Sequence, residues 1–280
     1  MRRDSFGFTL IELIIVITLV GIVGVMVANI ISNQMYGYVE MNRRAELVQL
    51  ADMAIEKMTR DIHNAVPNSI RVSGDALEMV PIQFAARYRS EVSDDAGSDP
   101  LDITGSDASF DVFANLVTSN LSLGSGQVVI YNLGLENSGN PVLGANLYAA
   151  NPSGDPHVIS ATGVTLVNDG VEDQVQLTTA HQFRFHSPQY RMYIVNGALS
   201  YVCNTGTATI TRYQGYAITA TQSTSPGGSS SLLVGKVSGC SFSYTQGTLT
   251  RNGVVTIQLV LSDGDQSVRL LQQVHVSNAP

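Results

Sequence analysis

The sequence has no tryptophan, only two cysteines and a charged fraction of just 14%. It has no basic run beyond the tenth residue, and its formal charge is −8 with a pI near 5.0. A nucleic-acid surface needs clustered Lys and Arg, so nucleic acid is not an expected partner. Also missing are a Walker A loop, H-E-x-x-H, G-x-S-x-G and a dinucleotide fingerprint. The five histidines are scattered. His181 and His186 lie too near an expected strand for spacing alone to set their direction, and they read as surface or core residues. Neither enzyme activity nor a cofactor is expected. What is abundant is Gly, Ser, Thr and Asn, a balance suited to an extracytoplasmic β-rich chain. A length of 280 residues exceeds a typical domain but falls within the range of single all-β units.

The apolar residues are concentrated at one end. Phe8 to Ile31 contains a single ionisable side chain, Glu12. As a helix this stretch spans about 36 Å, enough for the hydrocarbon core with some tilt. Arg2 and Arg3 precede it, which predicts a cytoplasmic N-terminus and an exported C-terminal bulk. A cleaved secretory signal has a shorter apolar region and a small-residue cut site, and neither is found here. A carboxylate deep in hydrocarbon costs on the order of 2.5–3.5 kcal/mol, so Glu12 needs a reason to be there. Were the chain to begin at Phe8, Glu12 would lie about one turn from the new α-ammonium, its own or a neighbouring subunit's. The plainer alternative is a charge tolerated near the membrane interface.

Gly7-Phe8-Thr9-Leu10-Ile11-Glu12-Leu13, with Arg2 and Arg3 ahead of it, resembles the class III signal of type IV pilins and type II secretion pseudopilins. The resemblance implies that a membrane prepilin peptidase cuts between Gly7 and Phe8 and that Phe8 is then N-methylated. It also implies that Glu12 guides docking during assembly. The expected partners are that peptidase, other minor and major pilins, the inner-membrane assembly platform and membrane lipid. The expected location is a single pass through the inner membrane with a periplasmic head, followed by the pilus, at its tip.

From Val39 the pattern turns amphipathic, with Leu47, Leu50, Ala51, Ala54, Met58 and Ile62 at helical spacing. Glu40–Arg44 and Glu56–Arg60 are i,i+4 pairs of the favourable order. Pro67 predicts the end of the helix. Gly21, Gly24 and Gly37 are the points where bending or local melting is expected. The division is therefore a leader over 1–7, a pilin helix over 8–66 and a β-rich head over 67–280.

In the head, Ser69–Ser73 and Ala76–Ile82 flank Gly74-Asp75 as a hairpin. Tyr190–Val195 and Ala198–Cys203 flank Asn196-Gly197, the favoured two-residue turn. Val254–Ser262 and Ser267–Val276 alternate cleanly around Asp263-Gly264-Asp265. Weaker strands fall at Gln127–Leu133, Val175–Thr179 and Thr209–Thr219. Residues 87–125 and 222–231 read as surface loops. A helix with antiparallel sheets packed against it is an α+β architecture.

Cys203 and Cys240, in an exported chain, most simply form one disulfide closing a loop of about 38 residues, worth ~4 kcal/mol in the chain-entropy model. Two buried thiols are the alternative. Asp94, Asp95, Asp99 and Asp102, or Asn168, Asp169, Glu172 and Asp173, offer oxygen ligands suited to Ca²⁺, but neither string has EF-hand spacing, so solvated loop carboxylates are the expectation and no metal site is assigned. The segment Arg60 to Val72, followed by Leu77 to Ile82, resembles the stretch after the helix in MshO-type minor pilins of the mannose-sensitive haemagglutinin (MSHA) pilus system. PilW-type minor pilins and J-type pseudopilins share a similar helix end. The resemblance implies a minor subunit that helps initiate a filament. A tip adhesin with a surface or glycan ligand, or a type II secretion pseudopilin, is the alternative.

Overall fold

The computed structural model describes residues 9–92, 97–149, 154, 156–168, 172–247 and 251–276. One helix, α1, runs without interruption from Leu10 to His63, about 81 Å at the standard rise. Gly21, Gly24 and Gly37 all lie inside it and none interrupts it. It stops at His63, short of the expected boundary at Val66. Asn64 caps it, its N–H donating to the Arg60 carbonyl. Ala65 then bridges Pro81 and the Val66 N–H donates to Val80, so the chain is already paired as extended backbone before Pro67.

Seventeen strands follow among the described residues. They are β1 (Arg71–Ser73), β2 (Ala76–Met79), β3 (Ile82–Arg87), β4 (Asp107–Val112), β5 (Leu121–Leu123) and β6 (Gln127–Val129). Next come β7 (Glu136–Asn137), β8 (Asn140–Pro141), β9 (Val164–Asn168), β10 (Asp173–His181), β11 (Arg191–Val195) and β12 (Ala198–Asn204). The last are β13 (Thr209–Tyr216), β14 (Ser229–Val234), β15 (Val237–Thr245), β16 (Gly253–Asp263) and β17 (Gln266–Val276). All the strand pairs within the sheets are antiparallel, so the architecture is α+β with a β-rich head.

Two sheets carry the helix. One has the order β1-β2-β12-β13-β14, the other β15-β16-β17. Leu47, Ala51, Ala54, Met58 and Ile62 point from α1 into a core that includes Leu77, Tyr201, Ile257 and Leu259. The period-two faces of the last hairpin behave as expected. Val255, Ile257, Leu259 and Leu261 are fully buried, and the turn closes at Asp263 opposite Gln266. The disulfide Cys203–Cys240, with Cα atoms 6.5 Å apart, joins β12 to β15 and so ties these two sheets together.

A second core lies between the sheets β4-β10-β9-β5 and β3-β11-β6, with Tyr88, Phe110, Leu166, Phe183 and Met192 at its centre. It corrects the reading of 87–125 as a surface loop. That segment holds β4 and β5, and buries Tyr88, Leu101, Phe110 and Val112. Its Gly, Ser and Asp content masks a short alternation, Phe110 and Val112 facing inward between polar neighbours. Likewise Ser229–Ser231 opens β14 rather than remaining loop.

Two strand connections also differ from expectation. Ala76–Ile82 is not one strand: Val80 and Pro81 separate β2 from β3, and the two join different sheets. Pro81 has no N–H to give to a ladder, which favours a break there. β11 and β12 form where expected but do not pair as a hairpin. β3 and β6 occupy both flanks of β11, while β12 lies between β2 and β13. Asn196-Gly197 instead hands the chain from one sheet to another. Gly197 has φ +85°, and a Cβ there would lie 2.6 Å from the Tyr216 carbonyl oxygen, so both the conformation and the space require glycine.

Candidate assembly site: the N-terminal helix and its clamp on the head

The start of α1 is set by Thr9, which holds extended backbone angles as N-cap while its Oγ1 accepts from the Glu12 N–H at 3.4 Å. Thr9-Leu10-Ile11-Glu12 has the spacing of a capping box, a signal already present in the sequence. Glu12 therefore lies in the first turn, where a negative charge complements the helix dipole. Gly7 and Phe8, the expected cleavage and methylation positions, lie outside the described residues.

From Leu10 to Glu46 every side chain whose surroundings are described is exposed. This is the one helix long and apolar enough to cross a membrane among the described residues, and its apolar window has no burial within the head. An ordinary core helix would be covered. The exposed apolar area here needs another medium, lipid or neighbouring helices.

Lower down, α1 is fastened by two polar clamps as well as by its apolar face. Near the start of the contact, Lys236 Nζ donates to Glu46 on the helix and to Asp263 on the β16–β17 turn, each at 2.8 Å. These bonds hold the Lys236 ammonium above its ordinary range, Asp263 first and Glu46 second. Near the end, Asp61 accepts from Tyr201 Oη at 2.6 Å and Arg212 Nε at 2.8 Å, while Lys57 Nζ lies 3.1 Å from its other oxygen. Burial alone would push the Asp61 carboxyl up. The bonds from Tyr201, Arg212 and Lys57, with the Arg212 charge, outweigh that and hold it below its ordinary value of 3.8. Glu56–Arg60 pairs on the outer face at 2.8 Å, whereas no ion pair joins Glu40 to Arg44 among the described residues. Neither clamp was legible beforehand, because Asp61 and its head partners lie 140 and 151 residues apart.

Just past the helix, Arg71 reaches Glu78 across the β1–β2 pair at 2.7 Å and lies over the Tyr148 ring at 3.6 Å. Burial raises the Glu78 carboxyl despite Arg71. This joins the end of the helix-bearing sheet to the loop before β9.

The remaining candidate groups are engaged internally. Asp99 accepts from Ser109 and Gln174, and Asp102 from Thr104. Asp173 is fully buried and accepts from Leu116, Val117 and Asn168, while Glu172 pairs with Arg89 at 2.6 Å. Asp94, Asp95 and Asp169 lie outside the described residues. Among the described residues no group of three His, Cys, Asp or Glu is placed to hold a metal. His181 Nε2 lies 3.1 Å from the His157 carbonyl, and burial, with His181 nearby, brings the His157 imidazole down to about 4. His186 Nδ1 is 3.1 Å from Tyr88 Oη.

Comparison with curated proteins and with solved structures returns no match. Residues 2–28 match the family described as "Prokaryotic N-terminal methylation motif", a span that contains Gly7, Phe8 and Glu12. Such a motif implies processing by a prepilin peptidase and assembly with other pilins. The chain thus carries the N-methylation motif of prepilin-type proteins at the head of a long apolar helix, which supports a place in the type IV pilin or pseudopilin family.

Proposed function

We propose that this protein is a minor pilin that helps to initiate a type IV pilus of the MSHA kind, acting as a non-enzymatic structural subunit. The observation that carries this reading is the continuity of three parts: a methylation motif, an apolar helix with no cover of its own, and a head clamped to the lower half of that helix. The narrower MSHA assignment rests on the Arg60–Ile82 stretch, which forms the helix end, β1 and β2 and carries Asp61, Arg71 and Glu78. In this reading the subunit waits in the inner membrane with its head in the periplasm. Glu12, in the first helical turn, takes the α-ammonium of Phe8 or of a neighbour as its partner on docking.

The test is intact-mass and N-terminal analysis of the membrane-extracted protein with and without the prepilin peptidase. A chain beginning at methylated Phe8 only when the peptidase is present supports the pilin pathway. A chain still beginning at Met1 in both would leave an ordinary anchored domain and end the filament reading. Deleting the head while keeping residues 1–68 then separates roles. Loss of all pili fits initiation, and normal pili with lost adhesion would assign the head to a tip adhesin.

A further inference from the structure

Ile31 closes the apolar run, and Glu46 is tied to the head through Lys236. The helix between them is about 22 Å long, and its described side chains are all exposed. Ser32, Asn33, Gln34, Glu40 and Asn42 are interspersed there with large apolar and aromatic residues. Tyr36 and Tyr38 are 71% and 63% exposed, and Met35, Val39 and Met41 are exposed beside them.

Positions two apart on a helix face opposite ways, so Tyr36 and Tyr38 point to opposite sides. Met35, Val39 and Met41 fill other directions. One protein neighbour covers one face; before a filament gathers helices around it, the medium that meets every side of a membrane-anchored helix is the bilayer and the water beside it. The two tyrosines lie about 7–11 Å beyond Ile31 along the axis, at the outer edge of a headgroup layer roughly 5–8 Å thick. Tyrosine, with an apolar ring and a polar tip, is enriched at that level. The adjacent basic pair Arg43-Arg44 falls farther out, in water.

We propose that residues 35–38 form an interfacial collar at the outer edge of the outer-leaflet headgroups, with Tyr36 and Tyr38 as its anchors, their rings leaning back along the helix toward its N-terminus and so into the headgroup layer. The collar sets the depth of the span and holds the head clear of the bilayer. It rests on the single-span reading of α1.

The absence of tryptophan makes the test direct, because each single-Trp variant reports one depth. The full chain, without other pilins, is placed in phosphatidylcholine–phosphatidylglycerol vesicles carrying Ile22→Trp, Tyr36→Trp, Tyr38→Trp or, in the head, Phe113→Trp. Tyr36→Trp and Tyr38→Trp are expected to emit to the blue of Phe113→Trp. Both are expected to be quenched alike, more by lipids brominated near the headgroup than by lipids brominated near the methyl end. Water-like emission at both, quenching of only one, or quenching mainly by the deep bromines overturns the collar. Ile22→Trp reads the span separately: deep quenching there leaves the anchor standing whatever the collar does, and no quenching there removes both.

Discussion

The two halves of α1 share one backbone and differ in everything around it. The first half is apolar all round and touches none of the head, whereas from Leu47 to Ile62 the second presents an apolar stripe and buries it on two sheets. A strip of Leu, Ala, Met and Ile at helical spacing is what a protein core asks of a surface helix. An all-round apolar surface is what lipid or a bundle of like helices asks. The protein therefore supplies the environment for half of its helix and leaves the other half to its surroundings, and substitutions in the two halves should separate function from stability.

The largest separation is expected at Glu12. Glu12→Val should leave leader removal and head stability unchanged while nearly abolishing incorporation into filaments, read as subunit content of sheared pili; wild-type content would remove the ion pair from the account. In the lower half the effects should fall on stability. Replacing both cysteines by serine should cost about 4 kcal/mol in denaturant unfolding, since the bond closes a long loop between the two helix-bearing sheets. Met58→Ala should cost about 2–5 kcal/mol, because Met58 is fully buried, whereas Val20→Ala should leave head unfolding unmoved. Equal losses from the last two would break the distinction between the halves.

Asp61→Asn is a finer probe, with an expected loss of about 1.5–3 kcal/mol from hydrogen bonds to a charged group. Its sign with pH is fixed. The folded carboxyl lies below its ordinary value, so its contribution is complete above about pH 4 and is lost as pH falls through the folded value. The gap between wild type and Asp61→Asn should close in acid. Glu78, which burial raises, should behave oppositely, its contribution fading as pH rises through the folded value. The smallest effect is expected at Glu56→Ala, at most about 0.5 kcal/mol, because its pair with Arg60 is solvent-exposed.

What was legible in the sequence follows from how far each signal reaches. The helix, its inward stripe and the hairpin around Gly264-Asp265 depend on neighbours a few residues away, and pattern alone finds them. The cysteine pair followed from compartment and even count. Strand partners do not have that locality. Asn196-Gly197 carries a hairpin signal, yet β11 is claimed on both sides by β3 and β6, which nothing near residue 196 reveals. Composition misled over 87–125, where Phe110 and Val112 sit among Ser and Asp but anchor a core. At the site, Glu12 was found by its cost in lipid and Thr9 was within reach as a capping box. The partners of Asp61 and Lys236 were out of reach, since both are met across the fold.

The bond between Cys203 and Cys240 also limits how the protein yields to tension. A load passed down α1 reaches the head where the helix is first fastened, at Glu46 and Leu47, and once that contact gives way, continued pulling against the far loops would peel strands away one after another. The segment between the cysteines is short-circuited by the covalent link, so roughly 120 Å of contour cannot be drawn out. Stretched while oxidised, the head should lengthen in a shorter step than the same head after reduction. Under load, the bond acts as a stop on extension.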